Sequence, residues 1–314
     1  MLSRIAESLF WIGRYVERAD DTARILDVHV HMLLEDSPLD EQLACADLLA
    51  AMGIAGDAKP DELDVASVVQ VLAYDRKSPL AIAGALQAAR ENARGAREAI
   101  SSEMWECLNT THNALPQQIA TSHRLGPHGF FTFIRARTAM MSGLSDSTMS
   151  RDESWRFLVL GRSLERVDMT ARLLSLRFGS SRHLPGRVAL LRSCGAYEAY
   201  LRTHRGVLDT SRVVRFLLLD RTFPRSVFHA LSTAEECLAD LSPGRGQHDE
   251  LDEARMALGR ARTRLEFTRV EDLLTDLPAN LEWIADTCRT AGGSVAQRFF
   301  RAYEPREWTP ESPS

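Results

Sequence analysis

With 314 residues, 45% of them hydrophobic and 26% charged, the chain has the composition of a globular protein with a sizeable core and not that of a disordered one. Its net charge of −5 offers no basic field for a nucleic-acid backbone, so nucleic acid is not an expected partner. Five cysteines (Cys45, Cys107, Cys194, Cys237, Cys288) stand far apart without a Cys-x-x-Cys, which argues against a zinc site or disulfide framework and for a reducing, cytoplasmic setting.

Between Arg4 and Arg24 charged residues interrupt the apolar ones, so no signal-peptide core is expected there. Ile12, Tyr15, Val16, Ala19, Ala23, Leu26, Val30 and Leu33 recur at 3.6-residue spacing and predict a long amphipathic helix. The longer apolar runs, such as Leu48 to Ala55, fall well short of the ~20 residues of a membrane span. Turn formers then punctuate the chain at Asp36-Ser37-Pro38, Gly53 to Pro60, Gly126-Pro127-His128-Gly129, Gly179 to Gly186 and Ser242-Pro243-Gly244. Ser37-Pro38 and Ser78-Pro79 each read as a helix cap followed by proline at the first helical position. No alternating run predicts a strand, so the expected fold class is an all-α helical bundle, with a frayed tail from about 304 to 314.

The chain also matches itself. Gly13-Arg14-Tyr15-Val16-Glu17-Arg18-Ala19-Asp20-Asp21-Thr22-Ala23-Arg24-Ile25-Leu26 returns as Gly161-Arg162-Ser163-Leu164-Glu165-Arg166-Val167-Asp168-Met169-Thr170-Ala171-Arg172-Leu173-Leu174, with nine of fourteen positions identical. Further on, Leu72, Asp75-Arg76, Pro79, Ala85-Leu86, Ala89 and Glu91 return as Leu217, Asp220-Arg221, Pro224, Ala230-Leu231, Ala234 and Glu236. Two matches in the same order, at offsets of 148 and 145, predict two pseudo-symmetric repeats from an internal duplication, 1–148 and 149–314, packed as one domain.

Charges kept in both copies mark a candidate site: Arg14/Arg162, Glu17/Glu165, Arg18/Arg166, Asp20/Asp168 and Arg24/Arg172, with His31 two turns further along the same arc. Arginine forks suit carboxylates or phosphates, and paired glutamates near arginines are candidates for a general base. A buried salt-bridge network fixing helix register accounts for the same residues, and on sequence both readings stay open. A glycine inside a helix costs about 1 kcal/mol, so Gly13 and Gly161 predict that the two motif helices cross closely there.

A second charged helix is expected from Arg90 to Glu106, with Arg90, Arg94, Arg97 and Ser101 opposite the apolar face of Ala89, Ala93, Ala96 and Ile100. It suits an anionic ligand or a solvated surface. His29 and His31 point apart on a helix and predict no zinc pair, and no Glu-x-x-His or glycine-rich phosphate loop occurs, so neither metal nor cofactor is expected in the chain. Tyr197-Glu198-Ala199-Tyr200 and the run Phe216 to Val227 read as core helices with polar edges; in the second, Asp220 is expected to cap one helix and Pro224 to start the next.

These residues carry a family resemblance. Met1 to Arg18, Ala89 to Arg94, Ile100 to Trp105, Ser150 to Arg162, Gly195 to Tyr200 and Phe216 to Val227 resemble, in order, the bacterial alpha-E domain family. The resemblance implies an all-helical protein that works beside a circularly permuted ATP-grasp ligase, often with a transglutaminase-like peptidase, in a system forming small peptides or amides. ATP and magnesium then belong to the ligase. The expected binding residues for ligase, amino acid or peptide are Arg14, Arg18, Asp20, Arg24, His31, Arg90, Glu91, Arg94, Arg162, Arg166, Asp168, Arg172 and Glu198, with Glu17 and Glu165 as catalytic candidates. An enzyme acting on its own at the paired glutamates and a structural adaptor are the alternatives.

Overall fold

A computed structural model describes residues 1–35, 41–54, 63–178, 186–241 and 253–300. Every regular element among them is helical. The 33-residue helix α1 (Ser3–Glu35) is followed by α2 (Glu41–Ala51), and α3 (Val65–Val69) runs into a π-helical turn, Gln70–Tyr74. Next come α4 (Ile82–Gly95), α5 (Ser102–Leu125) and α6 (His128–Thr148). The second half opens with α7 (Glu153–Phe178), followed by α8 (Arg187–Ser193), α9 (Tyr197–His204), α10 (Thr210–Leu219) and α11 (Val227–Asp240). It ends with α12 (Glu253–Phe267), α13 (Val270–Thr275) and α14 (Leu277–Phe299). None of these helices is long and apolar enough to cross a membrane.

The two helices that carry the repeated motif, α1 and α7, pack on each other at the centre, with α4 and α6 against α1 and with α11 and α14 against α7. Both bury side chains around much of their circumference: Leu9, Ile12, Leu26, Leu160, Leu164 and Leu174 are sealed in one continuous core. Their crossing is close because of glycine. A Cβ on Gly13 would lie 2.0 Å from the carbonyl oxygen of Leu158, and one on Gly161 would lie 2.0 Å from that of Phe10, so neither position admits a side chain. Repetition of the glycines in the sequence thus corresponds to a backbone-to-backbone contact.

Local rules account for the helix ends. Ser101, Asp209 and Ser226 cap α5, α10 and α11 by accepting from Met104 N (3.2 Å), Arg212 N (2.9 Å) and His229 N (3.1 Å). Gly126 closes α5 at φ 89°, and Pro127 leads straight into α6, as the Gly126–Gly129 turn predicts. Three expectations need correction. The stretch Arg90 to Glu106 is not one helix: the chain breaks at Ala96, passes through a 3₁₀ turn at Arg97–Ala99 and restarts at Ser102. Ser78-Pro79 does not start α4, which begins three residues later, because the Pro79 carbonyl is drawn out to Arg18 Nη1 at 3.2 Å. Asp220 ends α10, but Ser226 and not Pro224 begins α11, and the Pro224 carbonyl accepts from Arg166 Nη1 at 3.4 Å. The Asp36–Pro38 turn with its Ser37-Pro38 cap, most of the Gly53–Pro60 and Gly179–Gly186 breaks, the Ser242–Gly244 turn and the 304–314 tail lie outside the described residues.

Candidate functional site

Where α1 crosses α7, the repeated charges interlock. Glu165, 1% exposed, accepts from Arg14 Nε at 2.7 Å and from Arg18 Nε and Nη2 at 2.6 and 3.1 Å. Glu17, 2% exposed, accepts from Arg166 Nε and Nη2 at 2.7 and 3.2 Å, so each helix's Glu-Arg pair grips that of the other. One turn further along each helix, Arg24 bonds Asp20 at 2.9 Å and Arg172 bonds Asp168 at 3.0 Å.

The match is imperfect at one corner. Glu17 takes its second arginine from Arg225, 2.9 Å away on the approach to α11, instead of from Arg162. Arg225 also bonds Asp20 and Asp21. Burial would raise the Glu17 carboxyl, but Arg166 and Arg225 hold it down to about 2. Burial would likewise raise Glu165, and Arg14 and Arg18 keep it below the usual carboxylate range. Asp21 behaves oppositely: burial, with Glu17 and Asp20 beside it, pushes it up to about 8, and its Oδ2 is buried with no partner.

This geometry does not favour Glu17 and Glu165 as general bases. A general base needs an accessible lone pair near the working pH. Here both carboxylates are sealed, doubly held by guanidinium groups and kept below the usual carboxylate range by them. The glutamates also face opposing arginines and not one another. Glu17, Asp20 and Asp21 bring carboxylate oxygens within 4.8 Å, but the cation among them is the Arg225 guanidinium.

Part of the expected arc does open on a cleft, of about 660 Å³. From α1 it receives Arg24, Asp27 and His31; from α6, His128 and Arg135; and from the α8–α9 corner, Arg192, Gly195, Tyr197 and Glu198. Gly195 sits at φ 61°, and a Cβ there would come within 3.3 Å of Arg24 Nη1, so the corner turns tightly over this arginine. The corresponding Arg172 lies against Gly53 in the same way, donating to Ala51 O at 3.3 Å. Asp27 Oδ1 lies 2.7 Å from His128 Nδ1, Asp27 Oδ2 accepts from Arg135 Nη1 at 3.4 Å, and the His31 ring stands edge-on to His128 at 5.2 Å. Asp27, His31 and His128 could grip a divalent cation, each offering one atom within 4.8 Å of the others, although Arg135 already neutralises the carboxylate.

Of the expected binding residues, Arg24, His31 and Glu198 meet at this cleft. Arg14, Arg18, Asp20, Arg166, Asp168 and Arg172 belong to the ion-pair system at the crossing. Arg90, Glu91 and Arg94 pair among themselves on α4, with Arg90 and Arg97 over the Trp105 ring, and reach neither place. The sequence reading missed Asp27, His128, Arg135, Arg192 and Arg225. Asp27 stands one helical turn before His31, and Arg225 falls in the Phe216–Val227 run already noted as distinctive. His128, Arg135 and Arg192 carry no local signal.

An all-helical bundle with two reciprocal Glu-Arg clamps at its centre is the class that fold and site define. The chain belongs to the alpha-E family: the match covers residues 1–300, and the family is described as a predicted alpha-helical domain with a conserved ER motif. The dipeptide Glu-Arg occurs in this sequence at Glu17-Arg18 and at Glu165-Arg166. The chain is similar to an uncharacterized protein of Mycobacterium bovis and to two of Mycobacterium tuberculosis, each 26% identical over an alignment of 319 positions, gaps included, that takes in 90% of this chain. It spans 36% of the length of these relatives. No solved structure matches it.

Proposed function

We propose that the chain is the substrate-binding helical partner of an ATP-grasp peptide or amide ligase. The cleft beside His31 receives an amino acid or short peptide, while ATP and magnesium act on the ligase. The observation that carries this reading is the mixed charge of the cleft wall. Arg24 and Arg192 offer guanidinium groups, Glu198 offers a carboxylate, the Asp27–Arg135 pair lies beside them, and Tyr197 supplies an aromatic face stacked under Arg192 at 5.2 Å. A zwitterionic ligand needs that combination, because arginine forks take its carboxylate and carboxylates take its ammonium group. The ligase partnership, and that of a transglutaminase-like peptidase, rests on the family resemblance.

The Glu-Arg clamps serve in this proposal as the rigid frame of the cleft and not as its chemistry. That disfavours an enzyme acting on its own at Glu17 and Glu165. The reciprocal contacts of Arg18 and Arg166 with glutamates and with the Pro79 and Pro224 carbonyls also support an internal duplication, with repeats 1–148 and 149–314.

Calorimetric titration with the dipeptide alanyl-glutamate, free and with both ends blocked, tests the cleft. The free form binds, the blocked form does not, and Arg192→Ala weakens binding at least tenfold. No binding of the free dipeptide, either alone or with the ligase present, would overturn the reading.

A further inference from the structure

Arg14 and Arg162 occupy the same place in the repeated motif, yet their surroundings differ. Arg14 is committed to the sealed Glu165. Arg162 has lost the corresponding glutamate to Arg225, which stands where the first match has Leu80. Among the described residues its ion pair is a 3.4 Å contact from Nη2 to Asp146 Oδ1, although its side chain is only 13% exposed. That same oxygen also accepts from Trp155 Nε1 at 3.3 Å and lies 3.6 Å from Arg151, so its charge is shared.

Arg162 lines a pocket of about 300 Å³ between α6, α7 and α11, a site separate from the cleft. Arg166, His229 and the hydroxyl-bearing Ser142, Ser163 and Thr233 line it as well. Asp146 is the carboxylate among the lining residues, and the charge of Arg166 is answered by Glu17 behind it. Burial and the neighbouring Arg166 lower the Arg162 guanidinium below its ordinary value, and burial followed by Arg166 lowers His229. In both cases burial is the larger cause and the charge of Arg166 the second.

We propose that this pocket is an oxyanion site that binds the phosphoryl group of a small phosphorylated molecule, with Arg162 as its principal cation and His229 as a second donor. A planar fork, hydroxyls and an imidazole suit a tetrahedral oxyanion with several acceptor oxygens. The volume exceeds that of a bare phosphate and lies at the lower end of small-molecule sites, which leaves room for the group that carries the phosphoryl.

Calorimetry on the full chain, in a chloride buffer at low ionic strength, would compare inorganic phosphate, glycerol phosphate and acetate. Saturable binding of a phosphate form, weakened at least tenfold by Arg162→Met and less by Arg162→Lys, is the expected result. Tighter binding of glycerol phosphate identifies a monoester as the ligand, and tighter binding of inorganic phosphate identifies the free anion. The His229 ring resonance supplies a reading on the unaltered protein and moves on addition of phosphate but not acetate. Absence of saturable phosphate binding, equal binding of acetate, or a His229 resonance that does not move would overturn the proposal. Because Arg162 holds no sealed carboxylate, Arg162→Met folds, and unchanged phosphate binding by the folded variant would overturn it too.

Discussion

Replacing Glu17 by glutamine keeps the shape of the side chain and removes one buried charge, which makes it the cleanest probe of the central clamp. In the parent the carboxylate is 2% exposed, accepts two hydrogen bonds from Arg166 and forms an ion pair with Arg225. Its ionisation falls from an ordinary 4.5 to about 2, and at 1.36 kcal/mol per pH unit that difference corresponds to about 3 kcal/mol of stability. The figure matches the ~3–5 kcal/mol expected when one partner of a buried ion pair is removed. The sign follows from the direction: a depressed acid contributes fully above pH 4.5 and loses that contribution as pH falls towards 2. Urea unfolding followed by far-ultraviolet circular dichroism should therefore show Glu17→Gln about 3 kcal/mol less stable at pH 7, with the gap closing between pH 4.5 and 2. A variant as stable as the parent at pH 7, or a gap that does not change down to pH 2.5, would refute the clamp as a stabilising element.

Three further outcomes are expected. Gly13→Ala or Gly161→Ala puts a methyl 2.0 Å from a backbone oxygen and should destabilise the fold by more than about 4 kcal/mol, whereas Gly129→Ala, with open space around it, should cost nothing measurable by thermal melting. Asp21, raised from 3.8 to about 8, contributes stability that is fully present below pH 3.8 and lost as pH rises through 8. Asp21→Asn should therefore gain on the parent between pH 5 and pH 9 in urea midpoints, and parallel pH curves would contradict the raised carboxyl. Gly195→Ala strains a backbone at φ 61° and crowds Arg24, so it should cost about 1–2 kcal/mol and weaken dipeptide binding in calorimetry.

The amino-acid sequence by itself determined the helical class, the family, and the pairing of the two motif helices. The 3.6-residue period and the repeated Gly-Arg-x-x-Glu-Arg are local patterns, visible wherever the chain goes, and the helical glycines announced a close approach before any neighbour was known. What the charges do was decided by tertiary structure. A wheel drawn on α1 puts Glu17, Asp20 and Arg24 on one arc, but it does not say that Arg166 and Arg225 arrive to seal the first of them while Arg24 turns towards a cleft. His128, Arg135 and Arg192 join Asp27 and His31 there from elements about a hundred residues or more away, with no spacing to betray them. The same holds for Arg162, whose place in the motif copies that of Arg14. Only the packing of α11, which brings Arg225 to the crossing, leaves Arg162 facing a pocket. Periodicity reports which face of a helix is buried, whereas the partner of a buried charge depends on which distant element packs over it.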